Sequence, residues 1–255
     1  MKLCLGTANF GNEYNGVKLN KKEIYYMLDM AKEAGIEYID TAKAYGESED
    51  ILFSYLYLYI DRFKIITKTQ GQIPLDRNYH AVLAHGIEYI NPKVNGASVY
   101  LPHEAVLAAQ LSNIKYIQIP YSAFDNIIDC SIFYGLTKKN GIKVFARSVF
   151  LKGILQREHP PDIAKGLTKK LNEFKEIADR HGISCTKAAL LFVLKNRNID
   201  YVVVGVENGS QLAELIQIAS KNYYGTIVEE LRQKFTPMNV TILDIEKWRY
   251  YEEYY

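Results

Sequence analysis

The chain has 255 residues, 48% of them hydrophobic and 24% charged, with a formal net charge of +2. That length suits one large core and is close to the usual size of an α/β barrel. The near-neutral balance, with no polybasic cluster, argues against nucleic acid or an anionic membrane as a partner. The three cysteines, Cys4, Cys130 and Cys185, are scattered without a CxxC or His spacing, which argues against a disulfide framework or a metal site. The N-terminal stretch lacks the apolar core of a signal peptide, and no segment reaches the ~18 apolar residues of a membrane span. A cytoplasmic protein is expected.

Short apolar runs alternate with amphipathic segments along the chain. Strands are expected at 2–6 (KLCLG), 37–40 (EYID), 64–68 (KIITK), 81–85 (AVLAH), 94–98 (VNGAS), 116–120 (YIQIP), 143–148 (KVFARS) and 201–205 (YVVVG). Their near-continuous apolar character is what a parallel sheet covered on both faces requires. Helices are expected at 21–34, 47–60, 103–112, 125–140, 164–181, 186–196 and 209–219, several stopped by a glycine such as Gly35, Gly141 or Gly182. The expected architecture is an α/β fold, a (β/α)8 TIM barrel, as a single domain over 1–255 with a C-terminal extension from about 237. A doubly wound open sheet is the competitor, weakened because no GxGxxG follows the first strand.

The third and fourth βα units are short. Between Lys68 and Gly96 there are too few residues for two full helices and a strand. The piece DRNYHAVLAHGIEYINP (76–92) reads in two ways. With Ala81 to Ala84 as strand, His85 stands at its C-terminal end; with Leu83, Ile87 and Ile90 on one face, the same residues form an amphipathic helix.

Side chains at the C-terminal ends of barrel strands share one mouth, so Asp40 after the second strand, Tyr45 in the following loop and Lys68 on the third strand can meet. A tyrosine is a poor acid near neutrality, but a neighbouring ammonium stabilises the phenolate, and a carboxylate holds that ammonium charged and positioned. This set suits proton donation to a carbonyl oxygen. Each residue also has a bland explanation: a turn or cap for Asp40, one of 21 tyrosines for Tyr45, a solvated charge for Lys68.

The string YIDTAKAYGESE resembles the aldo-keto reductase signature, and IITK resembles that family's lysine strand. LCLGTANFG, GASVYLPHEA, YIQIPYSAFD, VFARSVFLKGIL and VVVGVENGSQLAE follow in the family's order, so the resemblance covers nearly the whole chain. It implies a (β/α)8 barrel that binds a nicotinamide cofactor without a Rossmann domain. It also implies that Asp40, Tyr45 and Lys68 are members of a catalytic tetrad, with Tyr45 as general acid, Lys68 tuning it and Asp40 paired to Lys68. The fourth member is a histidine ending the fourth strand. His85 is the candidate, only 17 residues after Lys68 where the family inserts a helix. His80, in another register, and His103, at a helix start, are the fallbacks.

The same resemblance assigns cofactor contacts to Thr7, Ser98, Gln118, Arg147, Ser148, Phe150, Leu151, Gly153, Gly205, Glu207, Gln211 and Glu214. Ser98 and Gln118 are expected to bind the nicotinamide carboxamide, although Ser98 could equally bond to backbone. Arg147 stands where the family often has a stacking aromatic. NADP-preferring members place Lys and Arg where this chain has Gly205 and Gln211, and Glu207 and Glu214 would repel a 2′-phosphate, so NADH is favoured over NADPH.

In the tail TPMNVTILDIEKWRYYEEYY, Trp248, Tyr251 and Tyr255 recur at i, i+3, i+7, as on a short helix with an aromatic face; a surface tail is the other reading. The function expected is hydride transfer between a nicotinamide cofactor, NADH or NADPH, and a small-molecule carbonyl or alcohol, with a sugar or nucleotide-sugar as the substrate guess, by a monomer or homodimer. The alternative is a catalytically impaired relative that keeps the fold to bind nucleotide or protein.

Overall fold

In the computed structural model, described for residues 1–11, 13, 18–58, 63–72, 77–129, 131–157, 161–221, 225–238 and 240, eight parallel strands close into a barrel. They are β1 (Leu3–Gly6), β2 (Tyr38–Asp40), β3 (Lys64–Thr69), β4 (Ala81–His85), β5 (Gly96–Ser98), β6 (Tyr116–Pro120), β7 (Lys143–Arg147) and β8 (Tyr201–Val204). Neighbours pair in chain order, and β8 pairs back onto β1. Around them lie α1 (Lys21–Glu33), α2 (Ser48–Leu58), α3 (Pro102–Gln110), α4 (Ser131–Asn140), α5 (Thr168–Arg180), α6 (Cys185–Leu194), α7 (Gly209–Ser220) and α8 (Ile227–Phe235).

Local chemistry sets the helix ends. Asn20 caps α1 by accepting from the N–H groups of Lys22 and Glu23, while the Glu23 carboxylate returns to the Asn20 N–H. The chain leaves α1 through Gly35 at φ +73°, a conformation that costs glycine little. Ser184 and Asn208 cap α6 and α7 in the same way.

Two layers of apolar side chains flank the sheet. Outward strand residues such as Leu5, Ile39, Ile65, Ile117 and Val204 pack under the helices. Inward residues Cys4, Tyr38, Ile66, Ala81, Leu83 and Phe145 fill the lower lumen. Gly96 permits this filling: a Cβ there would stand 2.0 Å from Leu83 Cδ2 and 2.7 Å from the Tyr116 carbonyl.

Of the two readings of 76–92, the strand is found. His85 ends β4 beside Ser98 of β5, and Ala81–Ala84 pairs in register with β3 as well. Among the described residues no helix follows β3, and only a 3-10 turn at Ile87–Tyr89 follows β4. Side chains cover the gap. Glu49 of α2 accepts from Thr67 Oγ1 at 2.6 Å and from the Tyr79 hydroxyl at 3.0 Å, and the Tyr79 ring meets Phe53 edge-on.

Two expectations need correction, and one helix was missed. The helix expected from 125 starts at Ser131, because the Asn126 side chain binds the carbonyls of Ala123 and Phe235 and the N–H of Met238, and Ser122 Oγ accepts from the backbone of Phe124 and Asp125. Such side-chain bonds compete with the helical ladder. The helix expected from 164 is 3-10 over Asp162–Leu167 before α5 begins. Helix α8, with Ile227, Val228, Leu231 and Phe235 buried, was not anticipated. Trp248, Tyr251, Tyr255 and Cys130 lie outside the described residues.

Candidate active site

The C-terminal ends of the strands open into a cavity of about 800 Å³. Asp40, Tyr45, Lys68, His85, Ser98, Gln118, Arg147, Ser148, Phe150, Gly153, Gly205, Glu207 and Gln211 all line it. Thr7 and Leu151 are fully buried outside the lining, and Glu214 is exposed on α7.

Lys68 organises the cavity floor. Its Nζ donates to both Asp40 oxygens at 2.8 and 2.7 Å and to the Thr41 carbonyl at 3.1 Å, and stands 3.4 Å from the Tyr45 hydroxyl. Both charged residues are only 4% exposed. Burial alone pushes the lysine down, but the charge of Asp40, then Tyr45, and the hydrogen bonds to both raise it above the ordinary lysine value. It is therefore an ammonium, held in one place.

Tyr45 owes its position to a braced turn. Its N–H donates to the Ala42 carbonyl, and its own carbonyl accepts from Ser48 N–H. The Ser48 hydroxyl lies 2.8 Å from the Thr7 carbonyl and 2.7 Å from Thr7 Oγ1, and Thr7 Oγ1 lies 3.2 Å from the Asp40 carbonyl. Thr7 thus supports the loop that carries Tyr45 and does not face the cavity.

His85 is half-buried, and its Nε2 lies 3.1 Å from the Tyr100 hydroxyl. Burial, then the positive charges of Lys68 and Arg147, hold its pKa below the ordinary histidine value, against smaller opposing effects of Asp40 and Glu88. Near neutral pH it is an uncharged imidazole. The two fallbacks stand elsewhere: His80 precedes β4 and contacts Tyr116 at the opposite end of the barrel, and His103 is exposed on α3.

Ser98 and Gln118 are buried polar groups on otherwise apolar strands. Ser98 Oγ lies 3.2 Å from Gln118 Oε1, and Gln118 Nε2 donates to Asp40 Oδ1 at 2.7 Å. Arg147 donates to the Val99 carbonyl and Ser148 Oγ. Beyond it the chain turns through Ser148, Leu151, Lys152 and Gly153, all at positive φ. Glu207 N–H donates to Gln211 Oε1 at 2.8 Å, so those two side walls are joined.

Among the lining residues that sequence reasoning missed, which include Asn9, Lys152, Gln156 and Arg157, Tyr100 stands nearest the catalytic candidates, beside His85. It lines the cavity and carries the Arg147 guanidinium 4.3 Å above its ring centroid. Its signal was present: it lies two residues after Ser98, just before the Pro102 helix start, and Glu104 fixes it by accepting from the N–H groups of Tyr100 and Leu101.

The cavity pairs a buried ammonium with a phenol and a neutral imidazole, and adds a serine and an amide that present both donor and acceptor atoms. These suit a primary amide ligand beside a carbonyl that receives a proton.

The fold matches that of the aldo-keto reductase AKR11C1 from Bacillus halodurans (holo form), with a TM-score of 0.73, 17% identity, and coverage of 92% of this chain and 91% of that one. No curated protein sequence matches the chain. The sequence model of the Aldo/keto reductase family matches residues 2–96 and 102–234. Members of that family are oxidoreductases that use nicotinamide cofactors and bind small-molecule carbonyl compounds. With most of its length matched, this chain belongs to the aldo/keto reductase family.

Proposed function

We propose that the protein reduces a carbonyl compound, or oxidises the corresponding alcohol, with Tyr45 as the proton-transferring group. The observation that carries this reading is the Lys68 ammonium, bonded to Asp40 at 2.7 Å and 3.4 Å from the Tyr45 hydroxyl on a cavity floor. When bound, the nicotinamide cofactor supplies the hydride. Tyr45 holds the proton destined for the carbonyl oxygen, Lys68 stabilises the phenolate left behind, and Asp40 keeps Lys68 charged and in place. Neutral His85 orients the carbonyl by a hydrogen bond.

Ser98 and Gln118 fit the carboxamide of the cofactor, since both are buried side chains that face the cavity. Arg147, Ser148, Phe150, Gly153 and Gly205 would flank it, with Thr7 and Leu151 supporting from behind. Glu207 and Gln211 would receive the ribose hydroxyls, and the Glu207 carboxylate in the lining supports NADH over NADPH; Glu214 would add to that repulsion from α7. A sugar-like aldehyde or ketone, a cytoplasmic setting and a monomer or homodimer complete the reading. Among the described residues no helix is long and apolar enough to cross a membrane.

The test follows absorbance at 340 nm with NADH and NADPH over a panel of aldehydes and ketones. Turnover that collapses in Tyr45→Phe supports the reading; turnover that survives the substitution ends it. The lack, among the described residues, of a long helix after β3 or β4 favours a second reading, a nucleotide- or protein-binding relative, which an inert wild type that still binds NADH would support.

A further inference from the structure

Asp40 and Gln118 stand on β2 and β6, four strands apart in a ring of eight, so they face each other across the lumen. Yet Gln118 Nε2 reaches Asp40 Oδ1 at 2.7 Å. Both side chains are almost fully buried, at 4% and 1% exposure. The orientation of the amide follows from chemistry: a carboxylate bonded to Lys68 can only accept, so the nitrogen of Gln118 must face it and its oxygen must face Ser98. The result is one continuous chain of polar contacts. It runs from Ser98 Oγ to Gln118 (3.2 Å), from Gln118 to Asp40 (2.7 Å), from Asp40 to Lys68 (2.7 Å) and from Lys68 to Tyr45 (3.4 Å).

Resting on the proposed function, we infer that Gln118 is a positioning residue that ties Asp40 to the opposite wall, so that an amide-bearing ligand held by Ser98 and Gln118 acts on the Lys68–Tyr45 pair through Asp40. A donor on Asp40 disperses its negative charge. When Gln118 turns its N–H toward a bound amide, or is removed, Asp40 presents more charge to Lys68 and Tyr45, and the phenolate form of Tyr45 is disfavoured. A residue that only contacts cofactor would change affinity and leave Tyr45 untouched. The two roles therefore separate in measurement.

The experiment titrates Tyr45 in the full-length protein by NMR with 13Cζ-labelled tyrosine, its resonance identified by its loss in Tyr45→Phe. Wild type, Gln118→Met, Gln118→Glu and Ser98→Ala are compared, with NADH affinity measured alongside by fluorescence. The expected result is an upward shift of the Tyr45 midpoint in Gln118→Met, a larger one in Gln118→Glu, which sets a second carboxylate against Asp40, and none in Ser98→Ala, which spares the Asp40 contact. An unchanged midpoint in both Gln118 variants overturns the inference, even if NADH binding weakens. Because the titration needs no turnover, an inert wild type with shifted Gln118 variants would sink the reductase reading and keep the coupling.

Discussion

The Tyr100 hydroxyl lies 3.1 Å from Nε2 of His85, and the two rings lie within 20° of parallel. On the same Tyr100 ring rests the guanidinium of Arg147. One aromatic side chain therefore orients the imidazole and seats a cation. Tyr100→Phe, which keeps the ring, is expected to cost roughly 0.5–1.5 kcal/mol in stability for the lost hydrogen bond. Tyr100→Ala removes the seat as well and costs more, by at least ~1 kcal/mol. Urea denaturation of both variants measures the difference, and equal losses would show that the Arg147 stack contributes nothing.

Lys68→Met leaves the Asp40 carboxylate buried beside an apolar side chain. The expected loss of stability is roughly 3–5 kcal/mol, because an uncompensated buried charge is left behind. Tyr45→Phe, at a half-buried site, is expected to cost below ~1 kcal/mol while lowering turnover by a factor of about 10² to 10⁴. Thermal denaturation read beside kinetics separates the two, and a Lys68→Met protein as stable as wild type would contradict the ion-pair account.

Asp125, in the loop after β6, is 5% exposed, and its Oδ2 has no hydrogen-bond partner among the described residues. Burial pushes its carboxyl up to about 7, with the Arg147 charge opposing. An acid raised in the folded state favours folding while protonated. That contribution is full below the unfolded value of 3.8 and is lost as pH rises through about 7. Relative to wild type, Asp125→Asn is therefore expected to gain roughly 1–3 kcal/mol between about pH 5 and pH 8. Denaturation midpoints at the two pH values decide; a difference that does not move with pH removes burial of this carboxyl from the account.

Glu207 lines the cavity, and the proposed reading has its carboxylate repel a 2′-phosphate. Glu207→Arg is expected to move the NADPH to NADH ratio of kcat/KM upward by at least about tenfold. An unchanged ratio would place the discrimination elsewhere.

Much of this was legible in the chain. Apolar runs of four to six residues alternate with helical patterns, and a parallel barrel is the arrangement that covers both faces of such strands. Asp40, Lys68 and Ser98 were visible because each interrupts or ends an apolar run with a polar group. His85 was ambiguous for a physical reason: the Leu83, Ile87, Ile90 spacing satisfies a helix as well as AVLAH satisfies a strand, and pairing with β3 and β5 decides between them. The loop at 125–129 misled because Asn126 spends its side chain partly on backbone groups more than a hundred residues away, information no local window holds. Thr7 carried the right motif, but its place behind the wall could only come from three dimensions.

The wall of the barrel at β3 and β4 has a further consequence. After each of the other strands comes a helix of nine or more residues; here, beside the packing of Ile65, Glu49 clasps Thr67 of β3 and Tyr79. Among the described residues, the strands that bear Lys68 and His85 are covered on this side by side chains and a short 3-10 turn in place of helices. A cavity lined by Asp40, Tyr45, Lys68 and His85 is thus assembled at one end of a barrel whose third and fourth strands, among the described residues, have no long helix after them.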